Sequence, residues 1–175
     1  VKAGSVCAAG SLLAAAGLAW LAQVLGGGDT GTLAGALLLI GAGIGLPWGL
    51  MDGMALNVVE TERAGMATGI FNTVRISADG LALALAGAML AGLIGTGLAR
   101  QLPAGLPVLA AASRAALGDI AQATQLLGGH ETLLRASYDA AFRLLLNGLA
   151  WLAVALAALV PYLLRNKEGV YVSRP

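Results

Sequence analysis

Four apolar runs, each at least as long as the ~20 residues that carry a helix across a bilayer, take up most of this 175-residue chain and leave it few folds. Folded in water, such runs would need polar surface to cover them, and the chain has little: 58% of its residues are hydrophobic and 11% charged, against about 25% charged in ordinary soluble domains. A mean hydropathy of +0.84 agrees. The class that remains is an all-α membrane protein with the lipid bilayer as its first partner.

The runs are bounded by charges and turn residues. The first covers about 4–25 and ends at Gly26-Gly27-Gly28-Asp29-Thr30-Gly31, a composition suited to a tight surface connection. The second covers about 32–59 and ends at Glu60-Thr61-Glu62-Arg63. The third, about 64–98, is roughly 50 Å long as a helix and exceeds the ~30 Å hydrocarbon core, so part of it tilts, bends or protrudes. The fourth covers about 138–164 and is followed by a polar tail, 165–175. Between the last two runs lies a segment of mixed polarity, about 100–137, broken at Pro103, Pro107 and Gly128-Gly129. Within it, Leu109, Ala112, Ala116, Ile120 and Leu127 are spaced for one short helix with a side turned to the membrane surface. The chain begins Val1-Lys2-Ala3, without methionine, and is expected to be a fragment or a processed chain.

An even number of spans leaves both ends on one side. Lys2, Arg63, Arg165, Lys167 and Arg174 then share that side at a higher density than Arg100, Arg114, Arg135 and Arg143 on the other, which predicts cytoplasmic termini and an extracytoplasmic 100–137 segment. Ten basic against nine acidic residues, scattered, offer no face to nucleic acid. One cysteine and one histidine cannot build a closed protein zinc site or an internal disulfide, and no cofactor is expected. Cys7 reads as a small buried apolar residue. His130 reads as a solvated loop side chain beside Glu131, and neither is assigned chemistry.

Polar residues inside the runs carry the functional signal. In the second, Gly41, Gly45, Gly49 and Gly53 line one side of a helix at a spacing of four, which lets another backbone approach closely. Packing alone explains that stripe, and a sliding contact is compatible with it. The Gly41-Ala42-Gly43-Ile44-Gly45 stretch has the wrong spacing for a nucleotide fingerprint. Pro47 should kink the helix. Asp52 is either an intramembrane carboxylate that faces protein or water, or an interfacial one near Glu60.

In the third run Thr68, Asn72, Arg75 and Asp79 recur at steps of 4, 3 and 4 and fall within about 60° of arc, forming one polar stripe. Arg75 and Asp79 are one turn apart and spaced to pair. If the helix enters the bilayer near Ala64, Asp79 lies about 22 Å along it, near mid-membrane. If Gly80 to Leu98 spans alone, the pair is a surface salt bridge. The buried placement is adopted, with Asp79, Arg75 and Asp52 as proton or charge relay, because ionisable residues within a membrane default to function. In the fourth run Arg143, Asn147 and Trp151 share a face, where an amide and an indole suit an amphipathic organic molecule. For Trp151 alone, as for Trp20 and Trp48, packing or interface anchoring is the competing reading.

The stretch Glu62-Arg63-Ala64-Gly65-Met66-Ala67-Thr68-Gly69-Ile70-Phe71-Asn72-Thr73-Val74-Arg75 resembles a segment of the major facilitator superfamily, most closely its fourteen-helix drug:proton antiporter branch. In that branch a glycine-rich helix with a proline is followed by a loop of the form E-R-x-G-x-A-[ST]-G-x-x-N-x-x-R. The order from Gly41 through Pro47 and that loop to a long Ala-rich segment and a final helix is similar over nearly the whole chain. The resemblance implies four transmembrane helices from the C-terminal bundle of such a transporter, in a bacterial inner membrane. It implies the missing N-terminal helices as partners, and alternating access with proton-driven efflux of small, partly hydrophobic compounds, as in multidrug resistance. Where relatives continue with glycines after the arginine, Ile76-Ser77-Ala78-Asp79-Gly80 adds an acid, so a role for Asp79 comes from its position and not from the motif.

The leading expectation is therefore the C-terminal part of a proton-coupled secondary transporter, with Asn72, Thr68, Asn147 and Trp151 on the substrate cavity wall. The rival is a complete four-helix membrane scaffold or subunit that packs against partner helices through the glycine stripe. An intramembrane enzyme is remote, since neither H-E-x-x-H nor G-x-S-x-G occurs.

Overall fold

The computed structural model describes the backbone of residues 3–27, 29–57 and 64–165, and the side chains of 4–27, 29–48 and 65–160. The described residues form six helices and no strand: α1 (Ala3–Val24), α2 (Thr30–Asn57), α3 (Ala64–Ala99), α4 (Val108–Ala116), α5 (Ile120–Leu126) and α6 (Glu131–Arg165). A helix satisfies its backbone donors and acceptors internally, which is the condition for entering hydrocarbon. Stretches within four of them, Gly4–Val24, Thr30–Trp48, Gly65–Ala99 and Glu131–Val160, are long and apolar enough to cross a membrane. The chain is accordingly an all-helical membrane protein.

The chain divides into two compact units, residues 1–71 with 146–175, and residues 72–145. In the first, α1 packs along α2 by close approach of their backbones. A Cβ added at Gly10 would lie 2.6 Å from the Gly43 carbonyl oxygen and 2.8 Å from the Pro47 ring. One added at Gly43 would collide with the Ala14 backbone nitrogen, and one at Gly17 would lie 2.7 Å from Ile40. Helix α2 continues through Pro47 to Asn57, with the proline ring received by the notch at Gly10. The Trp20 ring lies over Gly35, at 2.9 Å from the position of an added Cβ. Cys7 is buried, as its apolar character predicts.

Asp29 caps α2. Its Oδ1 accepts the Thr32 hydroxyl at 2.7 Å and the Thr32 backbone N–H at 3.0 Å. Those two bonds, the hydroxyl's first, hold the carboxyl below the ordinary 3.8.

The second unit has the chain's continuous hydrophobic core. Leu90, Ile94 and Leu98 of α3 meet Ala111, Ala112 and Ala115 of α4, Ala123 of α5, Leu127, and Leu134, Ala141 and Leu145 of α6. The single helix expected over 108–127 is two helices. Gly118, at φ +88°, breaks it, and Asp119 restarts it by accepting the Gln122 N–H at 3.0 Å. The apolar side expected at the membrane surface is turned inward: Ala112 and Leu127 are fully buried while Leu109 stays exposed. Burial against α3 and α6 removes apolar area from water on both partners, which a surface-lying helix cannot do. Helix α6 starts at Glu131, seven residues before the expected fourth span, once Gly128 and Gly129 at φ +65° and +92° have ended the preceding turn. A Glu131–Arg135 ion pair at 2.7 Å spans its first turn, and His130 is exposed just ahead of it.

Two predictions follow from these contacts. Gly43→Val is expected to force α1 from α2 and to cost about 1–3 kcal/mol as an overpacked contact, whereas Gly41→Val, into open space, leaves the pair intact. Thermal unfolding in detergent, with disulfide cross-linking between cysteines placed across α1 and α2, separates the two variants. At the cap, a carboxyl held below its unfolded pKa contributes stability that is complete above about 3.8 and is lost as pH falls through the lowered folded value. Hydrogen-exchange protection at the Thr32 amide is expected to fall across that acid window, and to be missing at all pH values in Asp29→Ala.

Candidate functional site

The polar stripe lies on α3, and that helix is continuous over 36 residues, so the 4-3-4 spacing of Thr68, Asn72, Arg75 and Asp79 keeps them on one face. Asn72 and Arg75 are half-buried, while Thr68 and Asp79 are exposed. Asp79 and Arg75 stand one helical turn apart on that face. The stripe sits within apolar neighbours that are themselves uncovered: Ile70, Val74, Ile76, Leu81 and Leu83 are each at least 60% exposed. A carboxylate among uncovered apolar side chains cannot turn to lipid without a large desolvation cost, so it needs water or a polar partner on its side of the helix.

Asn147 and Trp151 belong to the unit of residues 1–71 with 146–175, as does Thr68, whereas Asn72, Arg75 and Asp79 belong to the other. Asn147 and Trp151 line a cavity of ≈ 400 Å³ with Leu12, Ala15, Ala16 and Ala19 of α1 and Ala150 and Val154 of α6. The α1 alanines were not singled out from sequence, yet their small volume is what leaves room beside the Trp151 ring, which is 74% exposed. Such a lining sets one amide and one indole in an otherwise apolar wall.

Of the glycine stripe, Gly41 and Gly45 face open space, with nothing within 4 Å of an added Cβ. Close packing inside the chain falls instead to Gly10, Gly17 and Gly43. The 4-3 run Gly10, Ala14, Gly17 in α1 was the sequence signal for it. Asp52, Gly49 and Gly53 lie on the helical backbone of α2, and their side-chain environment falls outside the described residues.

A second cavity, of ≈ 390 Å³, went unread in the sequence. It lies between the end of α3 and the start of α6, lined by Leu93, Thr96, Gly97, Arg100 and Gln101 on one wall and Ala136, Ser137, Ala140, Ala141 and Leu144 on the other. Ser137 is 6% exposed, and its hydroxyl has no hydrogen-bond partner.

No protein-family model matches the chain, and neither the characterised proteins nor the solved structures contain a significant match to it.

Proposed function

We propose that the chain is the C-terminal part of a proton-coupled secondary transporter that exports small, partly hydrophobic compounds by alternating access. The observation that carries this reading is the register of α3. Its last turns, at Leu90, Ile94 and Leu98, are packed with α4 and α5, whose outer sides expose Ser113, Arg114, Gln122 and Gln125. Leu109 and Leu117 are exposed beside them, and a cap of such mixed polarity suits the headgroup layer, so the hydrocarbon is taken to begin near Leu90. Asp79 is eleven residues further in, about 16 Å, which is half of a ~30 Å core. Counting from Leu145, where α6 leaves the same cap, its remaining twenty residues to Arg165 are about 30 Å long, a full crossing.

On this register Asp79 serves as the proton or charge relay of the alternating-access cycle, with Arg75 one turn away on the same face. Asn72 and Thr68 add hydrogen-bonding groups to the same face. In the cavity between α1 and α6, Asn147 and Trp151 supply a wall against which an aromatic or amphipathic substrate stacks. The missing helices are those that cover the stripe, with both termini cytoplasmic in a bacterial inner membrane. The likeness at Glu62 to Arg75 supports the same assignment. The scaffold reading draws on a different observation, the uncovered faces of Gly41 and Gly45, which suit a partner helix.

In the full-length protein, Asp79→Asn is expected to reduce proton-driven substrate export to the background of empty vesicles while membrane insertion is unchanged. Arg75→Lys, which keeps the charge, retains measurable export. Reconstituted vesicles with an imposed pH gradient provide the assay. Wild-type rates in Asp79→Asn overturn the relay, and no export by the wild-type protein with any amphipathic cation or neutral aromatic probe favours the scaffold.

A further inference from the structure

The cavity between the end of α3 and the start of α6 is polar at one end and apolar at the other. Arg100, Gln101 and Ser137 stand at its outer end, and Leu93 and Leu144 lie seven residues deeper on their respective helices, about 10 Å away. Ser137 is the telling residue. A buried hydroxyl without a partner costs free energy, and here it lines an open cavity of ≈ 390 Å³, within the size of ligand sites in general. The neighbouring polar groups are committed elsewhere: the Thr96 hydroxyl donates to the Leu93 carbonyl at 3.0 Å, and Gln101 Nε2 donates to the Gly97 carbonyl at 3.3 Å. Gln101 N–H and Leu102 N–H cap the Leu98 carbonyl, both at 3.0 Å. These bonds occupy carbonyls at the negative end of the α3 dipole, which would otherwise repel an anion. No acid lines the cavity, so Arg100 sets its charge.

We infer that this cavity binds one anionic phospholipid, its phosphodiester held by the Arg100 guanidinium and the Ser137 hydroxyl and the first carbons of an acyl chain lying on Leu93, Ala140, Ala141 and Leu144. Arginine and a hydroxyl are the donors a phosphate recognises, and basic pockets between membrane helices take lipid headgroups. The order fits, because the apolar end at Leu93 and Leu144 lies nearest the hydrocarbon boundary and the polar end at Arg100 faces outward, the order in which a lipid presents its chain and its headgroup. A free phosphate satisfies the polar end but leaves the apolar floor uncovered, and the floor argues for the lipid. The inference depends on the membrane position of the cap and not on transport.

The test uses the purified full-length protein in detergent, delipidated and mixed with equal phosphatidylglycerol and phosphatidylcholine, with retained lipid counted by native mass spectrometry. One phosphatidylglycerol per chain is expected, in about tenfold preference, the discrimination of one charge-assisted contact. Arg100→Gln is expected to abolish that preference, Ser137→Ala to weaken it several-fold, and Arg100→Lys to restore part of what Arg100→Gln loses. Arg114→Gln, which removes an equal charge from exposed α4 outside the cavity, leaves it intact. Equal loss in Arg114→Gln and Arg100→Gln, retention in Arg100→Gln, or displacement of the lipid by excess inorganic phosphate each overturns the assignment.

Discussion

Hydrocarbon offers no hydrogen-bond partner and no hydrophobic drive for one helix to join another, and each feature of this chain answers one of those two facts. The backbone answers the first by staying helical through nearly every apolar residue described. The second is answered by fit. With apolar side chains no better off against each other than against lipid, α1 and α2 associate where backbones come closest, at Gly10, Gly17 and Gly43. The opposite rule governs the 72–145 unit. There α4 and α5 close over Ile94, Leu98 and Leu134, and water is excluded from a core of the ordinary hydrophobic kind.

The four long helices were legible because span length is a property of composition summed along the chain, which local charges bound sharply. Four long apolar helices stand where four runs were expected, with α6 beginning seven residues earlier in a polar first turn around Glu131 and Arg135. Side-chain partners were far less legible. The spacing of Ala112, Ile120 and Leu127 revealed an apolar side but not what it meets, and Gly118 split the helix that would have shown that side to lipid. A stripe of four glycines stood out in α2, yet among the described residues the α2 glycines against α1 are Gly35 and Gly43, outside that stripe. Periodicity names a face, and only the fold names its neighbour. Ser137 had no periodic signal, and its isolation is visible only once Gly97 is seen packed against it.

The cap and the stripe are coupled through helix length. Had α3 ended where its apolar residues leave the bilayer, no measure along the helix would fix the depth of Asp79. Because three turns of α3 are instead engaged by α4, α5 and α6, the helix is held at one end, and its rise of 1.5 Å per residue sets the height of every polar group below. On the proposed register the same anchoring puts the apolar end of the outer cavity nearest the hydrocarbon. A shift of the cap by one turn would move both sites by about 5 Å together.

That coupling also separates the two chemistries the chain can hold. At the outer end, Arg100 meets water and headgroups and stays charged at little cost, so a permanent anion suits it. On the proposed register Asp79 and Arg75 stand away from bulk water, where an ionisable residue needs a polar partner or a wet face. A guanidinium is the suitable neighbour there because it does not lose its proton in proteins, whereas a lysine at the same depth could neutralise itself first.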